Sequence, residues 1–332
     1  MNKIKILQIG MGPVGQKISE YINERKGLEI TGVVDKDPEK AGLELNKLCC
    51  VNISGIKISN SINETINLNK PDVAIITTVS SINEIAGQIE EVVSFGIPVV
   101  STCEELTYPW ETSPELAGRI DNLAKQNNVA VIGTGVNPGF LMDSLPIFLT
   151  AVCQNVNRIK VTRIQDAATR RIPFLNKIGA GLTLAEFEKK NKQGILRHIG
   201  LTESLQMIAG RMRWKLDKIE ESLSPVIADK KIITEKITIP PGNAAGVMQT
   251  GKGYVGEEEK ITLIFRAAVG ETDPYDKIEI DGEPNITSKI DGGVHGDKAT
   301  CAIAINAIKQ ILNSSPGLKT MADIPIVSYF LC

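Results

Sequence analysis

The stretch Lys3-Ile4-Lys5-Ile6-Leu7-Gln8-Ile9-Gly10-Met11-Gly12-Pro13-Val14-Gly15 decides the fold of this chain. An apolar strand runs directly into a G-x-G-x-x-G turn, and a helix-forming segment, Gln16 to Arg25, follows. Gly10 permits the tight turn out of the strand, Gly12 lets the backbone approach a pyrophosphate, and Gly15 lets the helix pack closely on the strand. Phosphates then lie at a helix N-terminus, where N–H groups and the dipole favour an anion. A glycine turn by itself is weak evidence, because glycines serve ordinary turns as well. Here a second strand, Leu28 to Val34, ends at Asp35, twenty residues after Gly15, where an acid that binds a ribose is expected.

A chain of 332 residues is longer than one core usually supports, so more than one domain is expected. Its 37 basic and 39 acidic residues give a formal charge of −2, which leaves no basic surplus for nucleic acid or an anionic membrane. Neither partner is expected. No apolar run approaches the roughly 20 residues that span a bilayer, and the N-terminus enters a strand without a signal-peptide pattern. A cytoplasmic location is expected. The six cysteines, at 49, 50, 103, 153, 301 and 332, form no C-x-x-C and suggest no metal site.

Along the chain, Pro38 to Leu48 reads as a helix, Val51 to Ile58 as a short strand and Ile62 to Leu68 as a short helix. Val73 to Thr77 is an apolar strand of the kind buried on both faces. The hydroxyls of Thr77, Thr78 and Ser80 then either face a cofactor at the sheet's carboxyl edge or cap the helix Ile82 to Phe95. Pro98 to Thr102 is the next strand and delivers Cys103, Glu104 and Glu105 to the same edge, one acid pointing at the cleft. After a helix at 113–127 and a strand at Val129 to Gly133, the loop Thr134 to Phe140 has the glycines, Asn and Pro of a fixed, close-approaching backbone. Beyond about residue 145 the apolar–polar alternation of 159–164, 232–239, 260–266 and 277–280 implies a mostly antiparallel sheet, with helices at about 183–192 and 200–213. A strongly apolar helix opens at Gly296 and must be buried, most simply against the first domain, with the tail from Pro316 to Cys332. The expected architecture is therefore α/β: a Rossmann doubly wound parallel sheet over residues 1–144, an α+β substrate and oligomerisation domain over 145–295, and a C-terminal helix and tail, 296–332, returning to the first domain.

Several blocks together resemble a known family. These are G-M-G-P-V-G, V-V-D ending at Asp35, V-S-T-C-E-E-L at 100–106, G-T-G-V-N-P-G-F at 133–140, R-I-Q-D-A at 163–167, H-I-G-L-T-E-S at 198–204 and G-D-K-A-T at 296–300. The chain is similar over its whole length to the 2,4-diaminopentanoate dehydrogenases, within the wider dihydrodipicolinate-reductase-like group. The resemblance implies NAD(P)-dependent oxidation of 2,4-diaminopentanoate at C4 to 2-amino-4-oxopentanoate and ammonia, in ornithine breakdown. Related amine dehydrogenases run the reductive amination.

That chemistry needs a base beside the amine, which must be neutral before its carbon is oxidised, and a counter-ion for the iminium that water attacks. The resemblance assigns the catalytic position to Glu104, with Glu105 as runner-up; either acid can instead cap a turn. An Arg fork suits a carboxylate, which singles out Arg163, two residues from Gln165 on one strand face. The resemblance places substrate contacts at Asn137, Arg163, Gln165 and His198. Gly10, Met11, Gly12, Pro13, Val14, Gly15, Asp35 and Lys36 are expected at the cofactor. Thr77, Thr78, Cys103, Gly135 and Asn137 are expected at its nicotinamide half, although Cys103 also suits packing. Asp35 favours NAD, and neighbouring Lys36 leaves room for NADP. Arg170 and Arg171 read as a solvated pair or an oligomer contact. The sheet face left uncovered suggests a homodimer. Two rivals share parts of this pattern: a dihydrodipicolinate-reductase-like enzyme, whose H-H-x-x-K string is missing here, and a regulator that binds NAD(H) without turnover.

Overall fold

A computed structural model describes residues 3–330; Met1, Asn2, Leu331 and Cys332, including the end of the expected tail, lie outside the described residues. Residues up to Phe140 and those from Gly296 onward form one compact unit, and Leu141–His295 form a second. The first alternates strands and helices: β1 (Ile4–Ile9), α1 (Pro13–Glu24), β2 (Leu28–Val34), α2 (Leu45–Leu48), β3 (Ile58–Ser59), α3 (Ile62–Asn69), β4 (Val73–Ile76), α4 (Ile82–Ser94), β5 (Val99–Ser101), α5 (Pro114–Gln126) and β6 (Ala130–Gly133). The second contains α6 (Ser144–Leu149), β7 (Asn155–Asp166), α7 (Ile172–Lys177), α8 (Leu184–Lys192), α9 (Leu201–Met212), β8 (Lys218–Ile227), β9 (Ile232–Ile233), β10 (Thr238–Ile239), β11 (Ala244–Val255), β12 (Glu258–Ala268), β13 (Tyr275–Glu283) and β14 (Ile286–Asp291). Then α10 (Gly296–Leu312) and β15 (Gly317–Lys319) complete the first unit.

The first unit's sheet runs β15-β6-β5-β4-β1-β2-β3, with every neighbouring pair parallel. The order reverses between β1 and β4, the switch point at which doubly wound sheets bind ligands. Both faces are buried, as the continuous apolar strands require; Val73, Ala74, Ile75 and Ile76 are all fully covered. Ile18 and Ile22 of α1 share one core with Ala304 and Ile308 of α10, and α3, α4 and α5 cover the opposite face. The returning helix thus packs where its apolar character demands. β15 pairs with β6, and Met321, Ile324 and Phe330 join the same core.

Three local expectations fail. Pro38 to Leu48 is helical only over α2, because Asp35 Oδ1 accepts the Asp37 N–H and Asp37 Oδ1 accepts the Glu39 N–H, bonds that compete with a helix. Gly42, at φ +81°, then turns the chain away. The strand expected over Val51 to Ile58 shrinks to β3, since Gly55 at φ +82° breaks the extended run. The run 232–239 is not one strand but the hairpin β9–β10, in which the Thr234 hydroxyl accepts the N–H groups of Lys236 and Ile237 and holds the turn.

The second unit's sheet runs β14-β13-β7-β12-β11-β8; β7 and β12 are parallel and the other neighbours antiparallel. Phe187 of α8 and Leu201, Leu205 and Ile208 of α9 share a core with Val161, Val247, Leu263 and Phe265 of the sheet. Strand β11 escapes sequence reading because Gly246, Gly251 and Gly253 dilute its pattern. A Cβ on Gly251 would lie 3.2 Å from Leu201, and one on Gly253 would lie 3.0 Å from Leu205, so glycine lets α9 lie close. Among the described residues no helix is long and apolar enough to cross a membrane.

Candidate active site

The glycine turn lies between β1 and α1, at the switch point. Gly10 has φ +91°, and a Cβ there would lie 2.9 Å from the Thr78 methyl, so only glycine suits it. A Cβ on Gly15 would lie 1.9 Å from the Gly10 carbonyl oxygen, which ties the helix to the strand end. Gly12 is different. It caps α1 with ordinary φ, and a Cβ built on it meets nothing within 4 Å. The space over the first turn of α1 is therefore open, Pro13 occupies that turn and no acid within it competes for the positive end of the dipole, so the arrangement fits a phosphate.

Buried Gln8 steadies the turn from below. Its amide donates to the Gly10 carbonyl and to Thr77 Oγ1, both at 2.9 Å, and Thr77 Oγ1 donates to the Gly10 carbonyl at 2.9 Å. Thr78 Oγ1 donates to Gln88 Oε1 at 3.0 Å. Thr77 thus braces the turn that would cradle the cofactor, whereas Thr78 is tied to α4. Neither caps α4. Gln8 was visible as a lone amide in an apolar strand.

Asp35 follows β2, and its Oδ2 accepts the Met11 N–H at 2.6 Å. Partial burial works against its ionisation, but the N–H groups of Asp37 and Met11 and the ammonium of Lys40 outweigh it and hold the carboxyl below its usual range. Lys40 Nζ lies 3.2 Å from Asp35 and 3.3 Å from Asp37. The cation paired with Asp35 is therefore Lys40, where the sequence pointed to exposed Lys36; the short helix and its preceding turn bring it back. A cavity of about 210 Å³, bounded by Asp35, Lys36, Ser61, Thr78 and Gln88, adjoins the acid.

Strand register aligns the rest of this edge. Val34, Ile9, Ile76, Ser101 and Gly133 lie in one row across β2, β1, β4, β5 and β6. At four interstrand spacings, Asp35 and the loop after Gly133 are about 19 Å apart along the edge. Glu104 and Glu105 form a 3-10 turn directly after β5. Glu105 Oε2 accepts the Ile82 N–H at 2.9 Å, so it caps α4 from another element. The half-buried Glu104 carboxylate has no hydrogen bond or ion pair to any described residue. Cys103 is fully buried in the α4–α5 core, and burial pushes its thiol up to about 12, which makes it a packing residue.

The 134–139 loop folds on itself. A Cβ on Gly139, at φ +118°, would lie 2.5 Å from the Gly135 nitrogen, and one on Gly135 would lie 3.0 Å from the Pro138 carbonyl. The Val136 N–H donates to Thr300 Oγ1 of α10 at 3.3 Å. Asn137 is buried within this fixed loop.

In the second unit Arg163 is 1% exposed. Its guanidinium donates to Asp276 Oδ1 at 2.7 Å and to the Val294 carbonyl at 2.8 Å. Burial outweighs the pairing at both ends: it lowers Arg163 to about 10 and raises Asp276. Gln165 also donates to the Val294 carbonyl, and Asp276 Oδ2 accepts the Val294 N–H. Arg163, Gln165 and Asp276 thus converge on one backbone unit, just before His295. Arg170 is not a solvated residue: it is buried, donates to Gln165 Oε1 and lies 3.9 Å over the Phe174 ring, because β7 ends by folding that turn back onto α7. The half-buried His198 ring stacks on Phe265, centroids 4.4 Å apart.

A parallel edge with a phosphate-binding turn, a ribose acid and a carboxylate left unengaged defines a dinucleotide-dependent dehydrogenase. Residues 140–331 match the family described as the 2,4-diaminopentanoate dehydrogenase C-terminal domain, and residues 1–104 match a CoA binding domain family. The chain is 34% identical to the 2,4-diaminopentanoate dehydrogenase of Acetoanaerobium sticklandii, over 98% of this chain and 94% of the relative. The structure of an amine dehydrogenase from Mycobacterium smegmatis superposes with a TM-score of 0.85 at 23% identity, covering 98% of this chain and 97% of that one. A dihydrodipicolinate reductase from Paenisporosarcina superposes with a TM-score of 0.53 at 13% identity, covering 96% and 97%, and shares the fold. The chain belongs to the 2,4-diaminopentanoate dehydrogenase family and is an NAD(P)-dependent dehydrogenase of the type that acts on CH–NH2 groups.

Proposed function

We propose that this protein oxidises 2,4-diaminopentanoate at C4, giving 2-amino-4-oxopentanoate and ammonia, with NAD preferred over NADP. The observation that carries the reading is the division between the two acids after β5: Glu105 is engaged at the start of α4, and Glu104 is left for chemistry. A bound nicotinamide supplies the acceptor for the hydride leaving C4. Glu104 takes a proton from the C4 ammonium, so that the amine nitrogen can release electron density as C4 is oxidised. Once that proton has passed to solvent, the carboxylate faces the iminium as a counter-ion; it then takes a proton from the water that adds to C4 and delivers it to the nitrogen, and ammonia leaves as the C4 hydroxyl gives up its proton to form the ketone. Asn137 and His198 supply polar contacts to the substrate. Arg163 and Gln165 serve through their hold on the Val294–His295 backbone.

Asp35 supports the preference for NAD, since a carboxylate accepts the ribose hydroxyls and repels a 2′-phosphate. Lys40 offsets that repulsion, so NADP is used less well rather than refused. Cytoplasmic ornithine breakdown is the setting that fits this substrate. The protein works as a homodimer through the sheet face opposite α8 and α9, which carries Lys160, Ile164, Met248 and Lys277; a monomeric mass in light scattering counts against this.

The deciding assay follows reduced-nicotinamide absorbance and ammonia release with NAD or NADP and a panel of diamino acids, amino acids and simple amines. Equal release of ammonia and reduced cofactor with 2,4-diaminopentanoate is expected. Cofactor binding without turnover of any panel member would refute the reading in favour of a sensor.

A further inference from the structure

Gln249 is an amide on the buried face of β11, 1% exposed, between Val247 and Gly251, and nothing in the reaction above uses it. Burying an amide without partners is costly, so its bonds identify its role. Its Oε1 accepts the His198 N–H at 2.8 Å, and its Nε2 donates to the His198 carbonyl at 3.3 Å. One side chain therefore grips both backbone groups of His198, as a neighbouring strand would. The second Nε2 hydrogen goes to Glu221 Oε1 at 2.5 Å on β8, and Glu221 Oε2 accepts from Thr202 Oγ1 of α9 at 3.2 Å. The grip is thus anchored on a strand and a helix. His198 lies in the connection between α8 and α9, which has no regular structure of its own, and its ring rests on Phe265 of β12.

We propose that Gln249 is a positioning residue: through this two-point hold it sets the His198 imidazole against Phe265 in the orientation that meets the substrate. The inference rests on the reading in which His198 contacts the substrate. It predicts coupling that a residue serving only the core would not show.

The chain has two histidines, so imidazole NMR spectra report His198 directly once His295→Gln assigns the other. In Gln249→Ala the His198 ring signals are expected to lose the ring-current shift from Phe265, with those of His295 unmoved. Its KM for the diamino acid should rise about tenfold with kcat within about twofold, the scale of one misplaced polar contact. His198→Ala should raise KM to a similar extent, and adding Gln249→Ala to it should change nothing further. The exchange Gln249→Glu with Glu221→Gln keeps the acceptor for the His198 N–H and restores a bond to position 221. It should bring KM back to within about threefold of the wild type. It also serves as the test variant if Gln249→Ala does not fold. Unchanged His198 signals, or losses that multiply in the double variant, overturn the assignment. A wild type that turns over no amine overturns the functional reading instead, and the imidazole spectrum still decides whether Gln249 sets His198.

Discussion

The Glu105 carboxylate accepts the Ile82 N–H at 2.9 Å, joining the turn after β5 to the start of α4. Adjacent acids of equal chemistry therefore have different work. Glu104→Gln is expected to leave the cofactor dissociation constant and melting temperature unchanged while removing at least about 99% of kcat, the scale of a lost general base. Glu105→Ala should keep most turnover and cost about 1 kcal/mol of stability, as removal of a helix cap does. Kinetics and thermal melting on the two variants separate these outcomes; a stable, active Glu104→Gln would move the base to another group.

The glycines of the turn should separate as cleanly. A Cβ on Gly15 would lie 1.9 Å from the Gly10 oxygen, whereas one on Gly12 meets open space. Gly15→Ala is expected to unfold or severely destabilise the first unit. Gly12→Ala should melt like the wild type and bind cofactor at least about tenfold more weakly, because its methyl enters the space where a phosphate is expected. Circular dichroism with a fluorescence titration of NADH decides; undiminished affinity in Gly12→Ala would remove the phosphate from that position.

Much of this edge was legible in sequence because it is local. Strand, turn, helix and acid follow one another within Ile4–Asp35, and each element is dictated by its own residues. What was not legible depended on partners far along the chain. Gln8 meets Thr77, Arg163 meets Asp276, and Gln249 meets His198, across 69, 113 and 51 residues. An Arg on a strand looks the same in sequence whether it awaits a carboxylate ligand or already has Asp276. Pro38 to Leu48 misled for the opposite reason: a helical pattern was present, and the side chains of Asp35 and Asp37 overrode it within a few residues.

Asp35 and Lys40 make cofactor choice a matter of balance. Asp35→Ala is expected to raise the NADP-to-NAD ratio of kcat/KM by about tenfold or more, since it removes a repulsion and releases Lys40 towards a 2′-phosphate. Lys40→Ala should lower the same ratio. Ratios that stay constant in both variants would show that neither side chain meets the ribose.

The Arg163–Asp276 pair tests whether the second unit depends on a buried charge. Asp276→Ala leaves the guanidinium buried without its counter-ion and should cost about 3–5 kcal/mol in urea unfolding. Replacing both, Arg163→Met with Asp276→Leu, should cost much less stability, because burial already outweighs the pairing. The double variant should nevertheless lose turnover, since only Gln165 then holds the Val294 backbone.

Cys103 offers a check on which side of the edge is core. Thiolate is the reactive form, and burial raises this thiol to about 12, so at pH 8 almost none is ionised. Iodoacetamide on the folded protein, followed by peptide mapping, should label exposed Cys50 and spare Cys103. Labelling of Cys103 should appear only with unfolding or as the pH nears 12. Ready modification at pH 8, suppressed by NAD, would instead put that sulfur at the cofactor and reopen its role in the site.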